Sequence, residues 1–186
     1  MAETLSTMLA LGTTAPRFKL RDVVTGKEIS LDTFAGKSAL LVMFISRHCP
    51  YVQHVKSEIA RVGKDYSDKA LGIVAITDRL KEMAQELRFL FPVCYDETQD
   101  VAKAFSAACT PDFFLFDKQR KLSYRGQMDD SRPGNSIPVT GRDLRTAIDA
   151  LLAGRPVPQD QRPSIGCNIK WKPGNAPQYF RQTGAS

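Results

Sequence analysis

Residues Leu40–Val55 read LLVMFISRHCPYVQHV, and their reading decides the fold. The run from Ala39 to Ile45 is apolar at every position, as in a strand buried on both faces of a mixed or parallel sheet. Pro50 suits the first turn of a helix, where its missing N–H is no loss and its fixed φ is already helical. Val52, Val55, Ile59 and Val62 then share one helical stripe, with a stop near Gly63. Cys49 falls at the strand-to-helix junction. Unpaired N–H groups and the dipole at a helix N-terminus favour a thiolate, which makes Cys49 a candidate nucleophile. Taken alone, a cysteine closing a core strand more often reads as an inert packed thiol.

Upstream, the alternating runs Phe18–Asp22 and Glu28–Leu31 flank Thr25-Gly26 and predict a β-hairpin, with Asp32–Gly36 as a short helical turn. Downstream, Ala70–Thr77 reads as a second buried strand. Leu80, Met83, Ala84 and Leu87 mark a helix, Val93–Asp96 a short strand, and Val101, Ala104, Phe105 and Ala108 another helix. Phe113–Asp117 and Leu122–Gly126 form a second hairpin across the Lys118–Lys121 turn. After the Pro- and Gly-bearing loop Asp129–Gly141, the spacing of Leu144, Ala147, Ile148, Leu151 and Leu152 predicts a helix stopping at Gly154. The tail from Arg155 to Ser186 carries five prolines and reads as a loop-like extension, yet it holds Cys167 and the only tryptophan, Trp171. The expected organisation is an α/β domain over residues 1–154 with an extension, 155–186, packed on it.

The 186 residues suffice for one core without metal or disulfide support, and 42% hydrophobic against 25% charged residues is ordinary for a globular chain. The net charge of +6 is spread thinly, without a basic stripe interleaved with aromatics, which disfavours a nucleic-acid partner. No glycine-rich phosphate loop follows any strand. The N-terminus lacks a basic leader region and no apolar run is long enough to cross a bilayer, so the expected location is cytoplasmic, with no membrane partner.

Cys49, Cys94, Cys109 and Cys167 include no C-x-x-C pair, which weighs against zinc; no metal and no cofactor are expected. Cys94, in FPVCYD, reads as core. His48 and His54 lack the spacing of a metal pair, so His54 reads as a surface residue of the first helix and His48 as shaping the Cys49 loop. Asp78, Asp129 and Asp130 are candidate acids, more simply explained as caps of turns.

Four features in order resemble the thioredoxin superfamily, and within it the redoxin or peroxiredoxin-like proteins: GTTAPRFKL with LDTFAGK, the Cys49-Pro50 junction, Thr110-Pro111 before a hairpin, and the last amphipathic helix. The strings HCPYV, CTPDFFLFD and GCNIKWKPGN extend the resemblance into the tail. It implies a thioredoxin-like fold with an N-terminal β-hairpin extension and a long irregular C-terminal tail. It also implies that Thr110 and Pro111 form a cis-proline loop facing Cys49, with His48, Pro50 and Tyr51 lining a substrate site; from the residues alone, Pro111 merely starts a strand. Cys49-Pro50-Tyr51-Val52 is similar to the start of a glutaredoxin motif with Val52 in place of the second cysteine. Peroxiredoxins attack from that second position, so their mechanism does not transfer residue by residue.

The expected activity is thiol-disulfide oxidoreduction by Cys49, with Cys109, Cys167 or an external thiol resolving the intermediate. Cys109 ranks first because it precedes the proline by two residues. The expected partners are a disulfide-bearing protein or a small thiol or peroxide, and an external thiol reductant. A thiol-dependent peroxidase and a non-catalytic peptide-binding module are the alternatives.

Overall fold

A computed structural model describes residues 3–77 and 81–182. In chain order, the short strand β1 (Glu3–Leu5) precedes the hairpin of β2 (Lys19–Asp22) and β3 (Glu28–Ser30). Asp22 organises the turn by accepting from the backbone N–H groups of Val24 and Thr25, and Gly26 closes it at φ 72°. A 3-10 turn, Leu31–Phe34, leads into β4 (Ala39–Phe44), then α1 (Pro50–Asp65), β5 (Leu71–Thr77) and α2 (Lys81–Glu86). β6 (Val93–Tyr95), α3 (Asp100–Ala104), β7 (Cys109–Thr110), β8 (Asp112–Phe116) and β9 (Leu122–Gly126) follow. The chain then forms α4 (Arg142–Leu152), β10 (Ile165–Asn168) and α5 (Gln178–Gln182).

Seven strands form the main sheet in the order β3-β2-β6-β5-β4-β8-β9. β4 lies parallel to β5 and antiparallel to β8, so it is enclosed on both edges as well as both faces. Its side chains alternate between two cores, as the two-residue period of a strand requires. Ala39, Leu41 and Met43 pack under α1 and α4 with Val52, Ile59, Leu144 and Ile148. Leu40, Val42 and Phe44 pack on the opposite side with Phe105, Phe114 and Phe116, whose rings meet edge to face.

The tail departs from the expectation of a loop-like extension. β10 is the middle strand of a second, three-stranded sheet, β1-β10-β7, antiparallel to both neighbours. Beyond it, Gln99 ties the tail down by donating to the Lys170 carbonyl (2.8 Å) and accepting from the Lys172 N–H (2.8 Å) and the Asn175 amide (2.9 Å). Trp171 packs against the second core and meets Phe180 edge to face. Lone prolines mask the pattern in the sequence, and β10 owes its place to partners far away in the chain.

One buried ion pair couples the two helices over the first core. Glu58 of α1 is 1% exposed and accepts from Arg145 of α4 at 2.7 Å, while Arg145 also reaches Asp65 at 2.9 Å. Tyr66 donates to Asp149 at 2.7 Å beside them. Arg61 also reaches Glu58 at 3.2 Å but is exposed, so without Arg145 the buried carboxylate keeps only a solvent-screened partner. Arg145→Met is therefore expected to lower unfolding stability by about 3 kcal/mol in urea titrations, far more than loss of an exposed pair such as Lys19 with Glu28.

Candidate active site

Cys49 caps the N-terminus of α1 with extended backbone, its carbonyl accepting from the Gln53 N–H at 2.9 Å, and Pro50 takes the first helical position. Its sulfur does not cap the helix but turns inward, 3.0 Å from the Thr110 carbonyl oxygen. The Thr110-Pro111 peptide is cis. The sulfur of Cys167 stands 2.7 Å from that of Cys49, and the two thiols are 5% and 2% exposed. A thiol has one hydrogen, so Cys49 donates either to Thr110 or to Cys167. With Cys49 ionised, Cys167 is the donor. Burial and that bond push the Cys167 thiol up to about 12, so Cys167 holds its proton at neutral pH.

The register brings Cys167 there. Cys167 pairs with Thr110 and Asn168 with Cys109 across β10 and β7, and cross-strand partners share a face. Gly166 permits the approach, since a Cβ at that position would lie 2.0 Å from the Thr110 carbonyl oxygen. On the far side β1 completes the small sheet, with Glu3 opposite Cys167 and its carboxylate accepting from the Tyr51 hydroxyl. That bond and burial raise the Tyr51 pKa to about 12, so the hydroxyl stays a donor.

The expected residues are thus only partly brought together. Cys49, Thr110, Pro111 and Cys167 converge, with Tyr51 at the edge. Cys109, ranked first as a resolving thiol, is fully buried on β7 with its sulfur against the Pro111 and Ser164 carbonyls at 3.8 and 4.0 Å; Cys167 makes the contact instead. Burial raises the Cys109 thiol well above its ordinary value. Cys94 lies in the second core. His48 is exposed and lines the same cavity as Cys49 and Cys167, whereas Arg47, whose charge would favour a thiolate, pairs with Glu82 at 2.6 Å. His54 is half-buried rather than a surface residue and shares a 2.7 Å hydrogen bond with Ser131. Asp129 accepts from the N–H groups of Ser131, Thr140 and Gly141, and Asp130 pairs with Arg142 and Arg162, so both hold a loop together. Asp78 lies outside the described residues.

No group of three metal-ligating side chains occurs among the described residues, and no helix among them is long and apolar enough to cross a membrane. Sequence reasoning missed Glu3 and Gly166. Gly166 stands beside Cys167 in IGCN, but nothing local shows which carbonyl it must clear.

With the thiol pair set against the cis-proline, the comparisons are direct. The AhpC/TSA family matches residues 11–125. The chain belongs to the AhpC/TSA family. Its fold is that of the thioredoxin superfamily. The protein is similar to an uncharacterized conserved protein from Geobacillus kaustophilus, at 49% identity over 94% of this chain and 98% of that one, with a TM-score of 0.91. It is 28% identical over 119 residues to thiol-disulfide oxidoreductase ResA of Bacillus thuringiensis, covering 61% of this chain and 68% of that protein. The thioredoxin domain of a thiol-disulfide oxidoreductase from Bacteroides vulgatus matches with a TM-score of 0.56 at 22% identity, over 64% and 89% of the two chains, and shows the shared fold.

Displacing β10 tests the geometry of this AhpC/TSA protein. Misplacing reacting atoms by about 1 Å costs on the order of 100-fold in rate, so Gly166→Ala is expected to slow formation of a Cys49–Cys167 disulfide about that much. Gly36→Ala, where an added Cβ meets nothing within 4 Å, is expected to leave it unchanged. Mass spectrometry of alkylated time points reads both.

Proposed function

We propose that the protein is a thiol-disulfide oxidoreductase in which Cys49 attacks and Cys167 resolves. The 2.7 Å contact between their sulfurs carries the reading. A disulfide bond is about 2.05 Å long, so a small displacement joins them. The Cys49 thiolate attacks one sulfur of a disulfide substrate, forming a mixed disulfide and releasing a thiolate that takes up a proton. Cys167, once deprotonated, attacks the Cys49 sulfur. The Cys49–Cys167 bond forms, and the second half of the substrate leaves as thiolate. The substrate gains two electrons, and an external dithiol, or two thiols, returns them to the protein.

The likeness to thiol-disulfide oxidoreductase ResA supports a disulfide-bearing substrate. Two buried thiols in contact favour catalysis over a peptide-binding module, which needs no such pair. Peroxide chemistry would use the same thiols, Cys49 being oxidised to a sulfenic acid that Cys167 condenses with loss of water. The oxygen facing the Cys49 sulfur at 3.0 Å is a carbonyl, an acceptor, where a peroxide in reaction needs donors. This favours disulfide exchange.

Treatment of the reduced protein with one equivalent of 2-hydroxyethyl disulfide, followed by peptide mapping, is expected to yield Cys49–Cys167. Cys167→Ser should arrest at the Cys49 mixed disulfide, and Cys109→Ser should behave as wild type. A Cys49–Cys109 bond, or a wild type that stops at the mixed disulfide, refutes the assignment.

The second step carries its own pH dependence. Cys167 attacks as thiolate, and in the reduced protein its pKa is raised to about 12, chiefly by burial. Below that value its thiolate fraction grows about tenfold per pH unit. Capping Cys49 removes that residue's contribution to the rise and leaves the burial. Stopped-flow measurement of release of the second thiol should therefore show a rate climbing steadily from pH 6 through 9.

A further inference from the structure

A cavity of about 160 Å³ lies against the two thiols, with both Cys49 and Cys167 in its wall. Phe44, Ile45, Ile76, Ala102 and Ile169 make its exposed surface largely apolar, with polar side chains, His48 and Lys170 among them, at other points of the lining. A dry apolar cavity of about 150 Å³ takes up benzene, so this space accommodates one ring-sized group.

Asp96, at the end of β6, also lines the cavity and is 6% exposed. Its Oδ2 accepts from the Ala102 N–H at 2.8 Å, whereas its Oδ1 is buried without a hydrogen-bond partner. A buried oxygen left so is uncommon in folded proteins and marks a place where a donor is missing. The side-chain amide of the neighbouring Gln99 does not supply one, since it is committed to the tail on both sides. Cys49 and Cys167 are otherwise almost inaccessible, so a substrate that reaches their sulfurs through this cavity brings a small group with it.

We infer that the cavity binds the body of a small disulfide substrate, an uncharged apolar group of about benzene size bearing one hydrogen-bond donor for Asp96. This deepens the oxidoreductase reading and rests on it. The half held in the cavity is the one whose sulfur Cys49 attacks. It remains there as the Cys49 mixed disulfide, the other half having left as thiolate. Attack by the Cys167 thiolate on the Cys49 sulfur then frees it as a second thiolate.

A sulfur-free probe separates binding from redox chemistry. Calorimetric titration of the reduced full-length protein with phenol should give saturable one-to-one binding. Asp96→Asn keeps an acceptor for the Ala102 N–H but offers an amide donor to the cavity; it should weaken phenol about tenfold and leave toluene unchanged, a loss typical of one hydrogen bond. Ala102→Leu should weaken both by filling the space. The rate of Cys49 with bis(4-hydroxyphenyl) disulfide relative to 2-hydroxyethyl disulfide, each normalised to a simple thiol, should exceed unity about tenfold in wild type and fall towards unity in Asp96→Asn.

Absence of phenol binding, or phenol affinity and rate ratio indifferent to Asp96→Asn, overturns the inference, the cavity then holding only water. Phenol binding without any Cys49–Cys167 disulfide overturns the redox reading while the pocket stands. The disulfide without phenol binding does the reverse.

Discussion

The arrangement depends on one close approach, the antiparallel seating of β10 against β7 with Gly166 over the Thr110 carbonyl. That carbonyl has two neighbours. The backbone at Gly166 lies on it, and the Cys49 thiol points at it from the helix start at 3.0 Å. Because Thr110 is also the residue paired with Cys167, the same contact sets the strand's register and the distance between the two sulfurs. A larger residue at 166 moves both at once.

The two thiols sit in unlike places. Cys49 stands where a helix begins, while Cys167 sits mid-strand in a small sheet, and its proton is held by burial and by the bond to Cys49. Only one negative charge is then accommodated between two sulfurs at contact distance. Cys94 and Cys109 are buried deeper, with no sulfur partner of their own, and their raised thiol pKa values suit packing more than chemistry.

The tail belongs to the site. β10 contributes Cys167, β1 covers it from the N-terminal side through Glu3 and Tyr51, and Gln99 anchors the segment that follows. Gln99 is itself held at a positive φ of 63° at the start of α3, beside the Asp96 carboxyl that faces the cavity. Three segments far apart in sequence thus enclose the Cys49 sulfur, leaving a wall that is largely apolar.

Much of this was legible from residues alone. The all-apolar run Ala39–Ile45 followed by Cys49-Pro50 determined a doubly buried strand, a helix start and a thiol between them, because those are local consequences of side-chain period and proline geometry. The two hairpins and the amphipathic α4 followed from alternation and turn chemistry in the same way. The partner of Cys49 was not local: Cys167 lies 118 positions away, and its strand is four residues with no propensity strong enough to declare itself among prolines. Proximity in sequence favoured Cys109, but strand alternation turns that side chain away from the pair. Which thiol meets Cys49, which oxygen Gly166 must clear, and that Asp96 is left with a free oxygen beside a cavity were decided by long-range pairing and burial, since each is a relation between segments that only the packed sheet brings together.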